Sequence, residues 1–425
     1  MASPEVRSLR YEAPAGEFNL SRLERVIYGP GKIAALKDEM ERRSLKRAVV
    51  VTTDVVAKLP ILNDVTGALG SRCASVFMGI IQHVPRGTVN DLQKEIERVD
   101  ADCLVSLGGG SPIDSSKVAI YGLLDRRELV HIAVPTTLSA AEYTHAGGVT
   151  DETTRVKSGV YDMRVLPRTV INDPALTLAT PDWLWVSTGI RALDHAIECA
   201  YAIRHQPISD TLAAKSIALF VEHLHPSIAT KGDQQLAHRG HCQFASWYSI
   251  YGAMNTRFGL SHLLGHQIGP RWNVPHGITS CITLPNAMRF MAEIAAQRFG
   301  PVAEGYGIPF DPSNPKPAAL ECADRTEEFI AQFDVPKRLR DAGVPREEIG
   351  EIVEPITHEL EHNGVVDRPM TRQEVLTLLE AGDPYGVRTP FRFGGPSQAS
   401  ARLCRVEDRT AWRGALSKSP PPSIR

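Results

Sequence analysis

The rhythm of apolar and polar positions changes once along the chain, near residue 176. Before it, short apolar runs alternate with amphipathic stretches. Arg25-Val26-Ile27-Tyr28-Gly29-Pro30-Gly31 reads as a strand closed by a turn. Residues 47–53, RAVVVTT, form a continuous apolar run of the kind buried on both faces of a parallel sheet. Val76-Phe77-Met78 is a weaker strand, and residues 103–107 and 129–134 are two more. Between them, 33–43 and 88–99 read as helices, the second with Leu92, Ile96 and Val99 on one face. This alternation predicts an α/β fold with a mostly parallel sheet over residues 1–176.

From residue 177 to 380 a helical period dominates and predicts an all-helical domain. Thr180-Pro181-Asp182 has the form of a helix start, with Thr180 as cap and Pro181 in the first turn. Helices are predicted over 187–202, 209–224 with Ser209 as cap, 237–251, 286–299, 318–333, 346–362 and 371–380. Residues 381–425 are rich in Pro, Gly, Ser and Arg, with eight Lys/Arg against three Asp/Glu. That composition predicts a disordered tail.

Three histidines fall in GLSHLLGHQIGPRWNVPHGITSCITLPN, residues 259–286. His262 and His266 are four apart and share one face of a helix. Gly269 and Pro270 are predicted to end that helix, and Pro275-His276-Gly277 to open the next element. Imidazoles converging from two elements bind a metal or move protons. The bland alternative is core histidines bonded to backbone. A second motif, LGGGSPIDSSK at 107–117, follows a buried strand and opens a helix. Glycines there let the backbone approach a pyrophosphate, and the helix start supplies free N–H groups. The run is neither GxGxxG nor a Walker loop, and a plain turn would look the same. A polar loop, Pro135-Thr136-Thr137-Leu138-Ser139, also follows a strand. Two such loops beyond strand ends favour a dinucleotide.

Charge and cysteine content narrow the class. A net charge of −2 gives no basic surface for nucleic acid or membrane. Seven dispersed cysteines without a CxxC pair predict free thiols in a reducing compartment. No apolar run has transmembrane length, and residues 1–18 lack a signal-peptide core, so a cytoplasmic location is expected.

Together GGGSPIDSSK, PTTLSAAEYT, STGIRALDHAIE and GLSHLLGHQIGPRWNVPHG resemble the iron-containing (group III) alcohol dehydrogenases over about residues 20–380. The short threonine loop with Glu142 and the stretch 157–177 look closer to the maleylacetate reductase branch. The resemblance implies a Rossmann-like dinucleotide domain followed by an all-helical, dehydroquinate synthase-like domain. It also implies NAD(H) or NADP(H), a cleft active site, a small-molecule substrate and commonly a homodimer. By the same resemblance, Gly108, Gly109, Gly110 and Ser111 hold the pyrophosphate and Asp114 is an acidic position just inside the helix. Thr136 and Thr137 line the cofactor cleft, and Lys157 lies near the nicotinamide ribose. His195, His262 and His276 fall on the metal-binding histidines, and His266 on a further one near the nicotinamide.

One position departs. The family pattern Gly-Met-Asp-Ala-Leu-x-His reads here Gly189-Ile190-Arg191-Ala192-Leu193-Asp194-His195, so the aspartate ligand is replaced by Arg191. A guanidinium cannot coordinate and repels a divalent cation. Arg191 is either a surface partner of Asp194 or a fixed cation that replaces the metal or grips a carboxylate. On a helix it lies beside His195, which favours the second role. The sequence therefore predicts a nicotinamide-dependent oxidoreductase, metal-free, with Arg191, His195, His262, His266 and His276 as catalytic candidates. The alternatives are an iron or zinc alcohol dehydrogenase of a biosynthetic pathway, a lyase on the same scaffold, and a non-catalytic protein that keeps the fold.

Overall fold

A computed structural model describes residues 17–82, 84–150, 157–252 and 255–381. The predicted tail lies outside them, apart from Ala381. Six strands form one parallel sheet: β1 (Arg25–Tyr28), β2 (Ala48–Thr53), β3 (Cys73–Ile80), β4 (Cys103–Gly108), β5 (Val130–Pro135) and β8 (Thr169–Asn172), in the order β1-β8-β5-β4-β2-β3. An antiparallel hairpin, β6 (Ala146–Thr150) and β7 (Lys157–Tyr161), is inserted between β5 and β8. Helices of seven residues or more are numbered in chain order. The sheet half carries α1 (Leu36–Arg42), α2 (Ile61–Leu69), α3 (Arg86–Arg98) and α4 (Gly110–Tyr121).

Alternate residues of the central strands enter two cores. Val49, Val51 and Leu104 pack with Leu92 and Ile96 of α3 on one face. Val50, Val105 and Val134 pack with Leu36, Met40 and Val65 of α1 and α2 on the other. Both faces are covered, which is why these strands are continuous apolar runs rather than alternating ones. The chain runs outward from β2 to β3, then crosses back to β4 and on to β5 and β8. The strand order thus reverses between β2 and β4, the place where open α/β sheets bind nucleotides.

The second half holds α5 (Asp182–Tyr201), α6 (Pro207–His223), α7 (Gly232–Tyr251), α8 (Leu260–Trp272), α9 (His276–Ile294), α10 (Gly300–Tyr306), α11 (Lys316–Ala331), α12 (Val353–Asn363) and α13 (Arg372–Ala381). From Trp185 onward almost all of α5 is buried, and the other helices close around it.

Four local expectations change. Thr180 does not cap α5; its hydroxyl donates to the Thr136 carbonyl at 2.7 Å, and the helix starts two residues later. Ser209 lies inside α6, which opens with Pro207 in its first turn. Pro270 does not end α8, because the helix continues to Trp272 and stops at left-handed Asn273 (φ 53°). Finally, α9 runs unbroken from His276 through Pro285 to Ile294, so no new helix begins at residue 286. A proline removes only its own N–H bond, and dense packing of α9 keeps the helix together around it.

Candidate active site

The glycine loop joins β4 to α4 at the reversal of strand order. Gly108 has φ 138°, which disfavours any L side chain, and a Cβ on it would sit 3.0 Å from Pro112. A Cβ on Gly109 would sit 3.0 Å from the Thr137 methyl. Gly110 and Ser111 open α4, so free backbone N–H groups and the positive end of the helix face this bare backbone. A dinucleotide pyrophosphate fits such a cradle. Thr136 and Thr137 are buried in the neighbouring loop. Asp114 sits one turn into α4, paired with Lys117 Nζ at 3.3 Å. Lys117 is fully buried and also donates to the carbonyls of Ala141 (2.5 Å) and Ala146 (2.7 Å), pinning loop and hairpin to α4. Lys157 opens β7 opposite Thr150; its side chain lies outside the described parts.

The threonine loop leads from this cradle to α5. Leu138 N–H donates to Thr188 Oγ1 at 3.1 Å, one helical turn before Arg191. On α5, Arg191 is buried, and its Nη2 lies 2.5 Å from His276 Nε2 at the start of α9. Its Nη1 donates to Ser280 Oγ at 2.9 Å and faces Asp194 Oδ2 at 3.4 Å. The helices come this close because position 277 is glycine; a Cβ there would meet the Ser187 carbonyl at 2.6 Å. Donor atoms of His262, His266 and His276 lie within 4.8 Å of one another. His262 is buried, His266 exposed and His276 between the two. His195 does not join that trio; its ring lies 5.1 Å from the rings of Phe258 and His262.

Electrostatics follow from burial. Desolvation lowers the Arg191 pKa to about 10, opposed by Asp194 and Glu198, so it remains a cation at neutral pH. Burial, then the charge of Arg191, holds His195 and His262 well below the usual histidine range. Both rings are therefore neutral at physiological pH. Burial also pushes the Asp194 carboxyl up, while Arg191, Ser280 and Ser261 pull it back. Glu198 is pushed up by burial and by Asp194. Among the described residues, Arg191 Nε, Asp194 Oδ1, His195 Nδ1 and His262 Nδ1 are buried without a hydrogen-bond partner. The cluster thus holds unspent polar capacity of the kind a polar ligand satisfies.

Two buried carboxylates escape sequence reasoning as site residues. Asp194 enters only as a surface partner in the less favoured reading of Arg191, and Glu198, the last residue of STGIRALDHAIE, is given no role. Glu198 accepts backbone N–H bonds from Gly259 (2.8 Å) and Ser261 (2.7 Å), tying the start of α8 to α5. The available signal was spacing: Arg191, Asp194, His195 and Glu198 fall at i, i+3, i+4 and i+7, one face of one helix.

The family's metal set does not fit here. Arg191 stands at its aspartate position, a guanidinium N–H is directed at His276 Nε2, and His195, although its ring lies 5.1 Å from that of His262, is not in the group of donor atoms within 4.8 Å of one another.

A parallel sheet with a glycine cradle at its order reversal has the form of a dinucleotide-binding fold, and likeness to known enzymes makes the chain an NAD(P)-dependent oxidoreductase. Residues 24–174 match the family "Iron-containing alcohol dehydrogenase", and 185–382 match "Fe-containing alcohol dehydrogenase family, C-terminal". The chain belongs to the iron-containing alcohol dehydrogenase family, on its maleylacetate reductase-like branch. It is 32% identical over 362 residues to the maleylacetate reductase of Burkholderia cepacia, covering 85% of this chain and 96% of that one. For the Pseudomonas aeruginosa maleylacetate reductase the figures are 31% over 371 residues, 87% and 97%. The crystal structure of an iron-containing alcohol dehydrogenase from Corynebacterium glutamicum superposes with a TM-score of 0.75 at 27% identity, covering 87% of this chain and 97% of that one. Among the described residues no helix is long and apolar enough to cross a membrane.

Proposed function

We propose that the chain reduces a small oxo or enone carboxylate of the maleylacetate type, at a metal-free site where Arg191 is the fixed cation. One observation carries this reading: the buried guanidinium of Arg191 lies 2.5 Å from His276 within the imidazole cluster. The identity to maleylacetate reductases supports the substrate class.

When bound, the nicotinamide would supply a hydride equivalent for the reduction. The chain's own residues do the rest. Gly108 to Ser111 hold the pyrophosphate against the start of α4. Arg191 offers N–H donors where negative charge grows on the conjugated oxygen, inside a water-poor helix cluster that strengthens the interaction. His195 and His262, kept neutral, accept or donate single hydrogen bonds without adding charge to that of Arg191. His266, the exposed member of the trio, delivers the proton that completes the reduction.

The test is maleylacetate reduction with NADH and with NADPH after exhaustive chelation. Two like charges a few ångströms apart cost on the order of 1–4 kcal/mol at effective dielectric constants of about 80 to 20. Each ~1.4 kcal/mol is ten-fold in affinity, so Arg191 makes this a weak metal site. Undiminished turnover is expected. A second reading, a metal-dependent alcohol dehydrogenase, is favoured by the 4.8 Å grouping of His262, His266 and His276. Activity lost with chelator and restored by zinc or iron would establish that second reading instead.

A further inference from the structure

Arg191 and Asp194 lie three residues apart on α5. The family pattern has aspartate where this chain has Arg191, and an unspecified residue where it has Asp194. These two side chains meet in the interior. Asp194 Oδ2 lies 3.4 Å from Arg191 Nη1 and accepts hydrogen bonds from Ser261 Oγ on α8 (2.8 Å) and Ser280 Oγ on α9 (2.5 Å). Arg191 Nη1 donates to the same Ser280 hydroxyl at 2.9 Å. One carboxylate oxygen therefore gathers three helices around the guanidinium. It engages the Nη1 edge and leaves the Nη2 edge directed at His276.

We infer that Asp194 is a positioning residue that holds Arg191 charged, buried and turned toward His276, so that the Arg191–Asp194 pair occupies the place of the family's metal. The inference rests on the reading of Arg191 as the working cation. A buried guanidinium without a counter-charge is driven toward solvent or toward other partners. Glu198, the next carboxylate along this face, is already engaged by the backbone of Gly259 and Ser261. Among the described residues Asp194 is the carboxylate within ion-pair distance of Arg191. Pairing through Nη1 also restricts the rotamers of a long side chain, so the planar fork is presented in one orientation. Ser261 fixes the carboxylate in turn and, its one proton given to Asp194, accepts from Thr283 Oγ1 at 2.8 Å.

A double-mutant cycle separates positioning from mere support, since only coupled residues are non-additive. Asp194→Asn keeps the shape and an acceptor for the serine hydroxyls but removes the charge. Turnover of maleylacetate with NADH is measured for the parent, Asp194→Asn, Arg191→Gln and the double variant. Binding of maleate to the NADH complex is measured in parallel by calorimetry, so the cycle can be closed without turnover. Asp194→Asn should lower both by about ten-fold or more in the parent and by less than about two-fold in the Arg191→Gln background. An equal loss in both backgrounds overturns the proposal. If Arg191→Gln alone changes neither quantity, the reading of Arg191 itself fails, a result distinct from additivity. Should Asp194→Asn not fold, Arg191→Gln is compared with the double variant, in which no charge is left unpaired. Equal values carry the proposal, and a further ~ten-fold loss overturns it.

Discussion

The glycine cradle after β4 and the cluster on α5, α8 and α9 face the same chemistry but are built differently. The cradle is backbone: bare Cα positions at Gly108 and Gly109, the N–H groups that open α4, and a Thr137 methyl that fills the space a Cβ would need. The cluster is side chain: Asp194, Ser280 and His276 around Arg191, with four buried polar atoms that have no hydrogen-bond partner among the described residues. A backbone site depends on fold and tolerates drift in the residues around it. A side-chain site changes its chemistry with one or two substitutions. This chain has the glycine run of the first and, in the second, Arg191 at the family's aspartate position, so membership of a metal-named family does not by itself assign a metal to it.

The largest effect should come from the altered site. Arg191→Ala removes the donor proposed to meet the developing oxyanion. Loss of one such donor costs about 10²–10³ in kcat, or roughly 3–4 kcal/mol. Steady-state kinetics should show that fall in kcat with an intact cofactor Kd. A KM effect with unchanged kcat would instead make Arg191 a substrate-binding residue only.

A smaller and complementary effect is expected in the cradle. Gly109 has a negative φ (−87°), so valine there is allowed by the backbone, but its Cβ would press on Thr137 at 3.0 Å and occupy the pyrophosphate approach. Gly109→Val should weaken NADH or NADPH binding by roughly one to two decades, about 1.4–3 kcal/mol. The melting temperature should fall less than that loss of affinity implies. Fluorescence titration of the reduced nicotinamide reads the first quantity, and unchanged affinity would remove this loop from the site.

The same contrast explains what could be read from residues alone. Strands β2, β4 and β5 are legible because both faces are covered and the runs are mostly apolar, broken only by Thr52, Thr53, Ser106 and His131. The hairpin β6–β7 escapes because Ala146-Gly147-Gly148-Val149-Thr150 has no alternation, and β8 because four residues between Pro167 and Pro174 give no period. In the cluster, helix spacing correctly groups His262 with His266. It cannot show that α5 is enclosed on all sides, and so Asp194 looks like a surface residue when it is wholly buried. The part played by Thr180 was hidden for a similar reason. Its partner, the Thr136 carbonyl, is 44 residues away, and no local rule reaches that far.

The smallest effect tests the cradle's support. Glu142, beside the threonine loop, is buried with Oε2 unpartnered. Burial raises its pKa from 4.5 to about 7, with Asp114 adding to the shift and its own backbone N–H and Lys117 opposing it. The folded state thus holds the proton more tightly than the unfolded chain. For such a group the stabilising contribution is complete below about pH 4.5 and is lost as pH rises through about 7. Glutamine has the same shape and does not titrate. Glu142→Gln should therefore match the parent near pH 4.5, exceed it increasingly as pH rises from about 4.5 to about 7, and keep a constant lead above that. One pKa unit is about 1.4 kcal/mol, so the gain approaches at most ~3 kcal/mol. Denaturant unfolding of parent and variant at about pH 5 and about pH 8 measures the difference directly. A gap that stays constant between those values would mean that Lys117 holds Glu142 ionised throughout. The buried Lys117 and Glu142 would then form a second ion pair, and the cradle, like the cluster, would depend on side-chain charge.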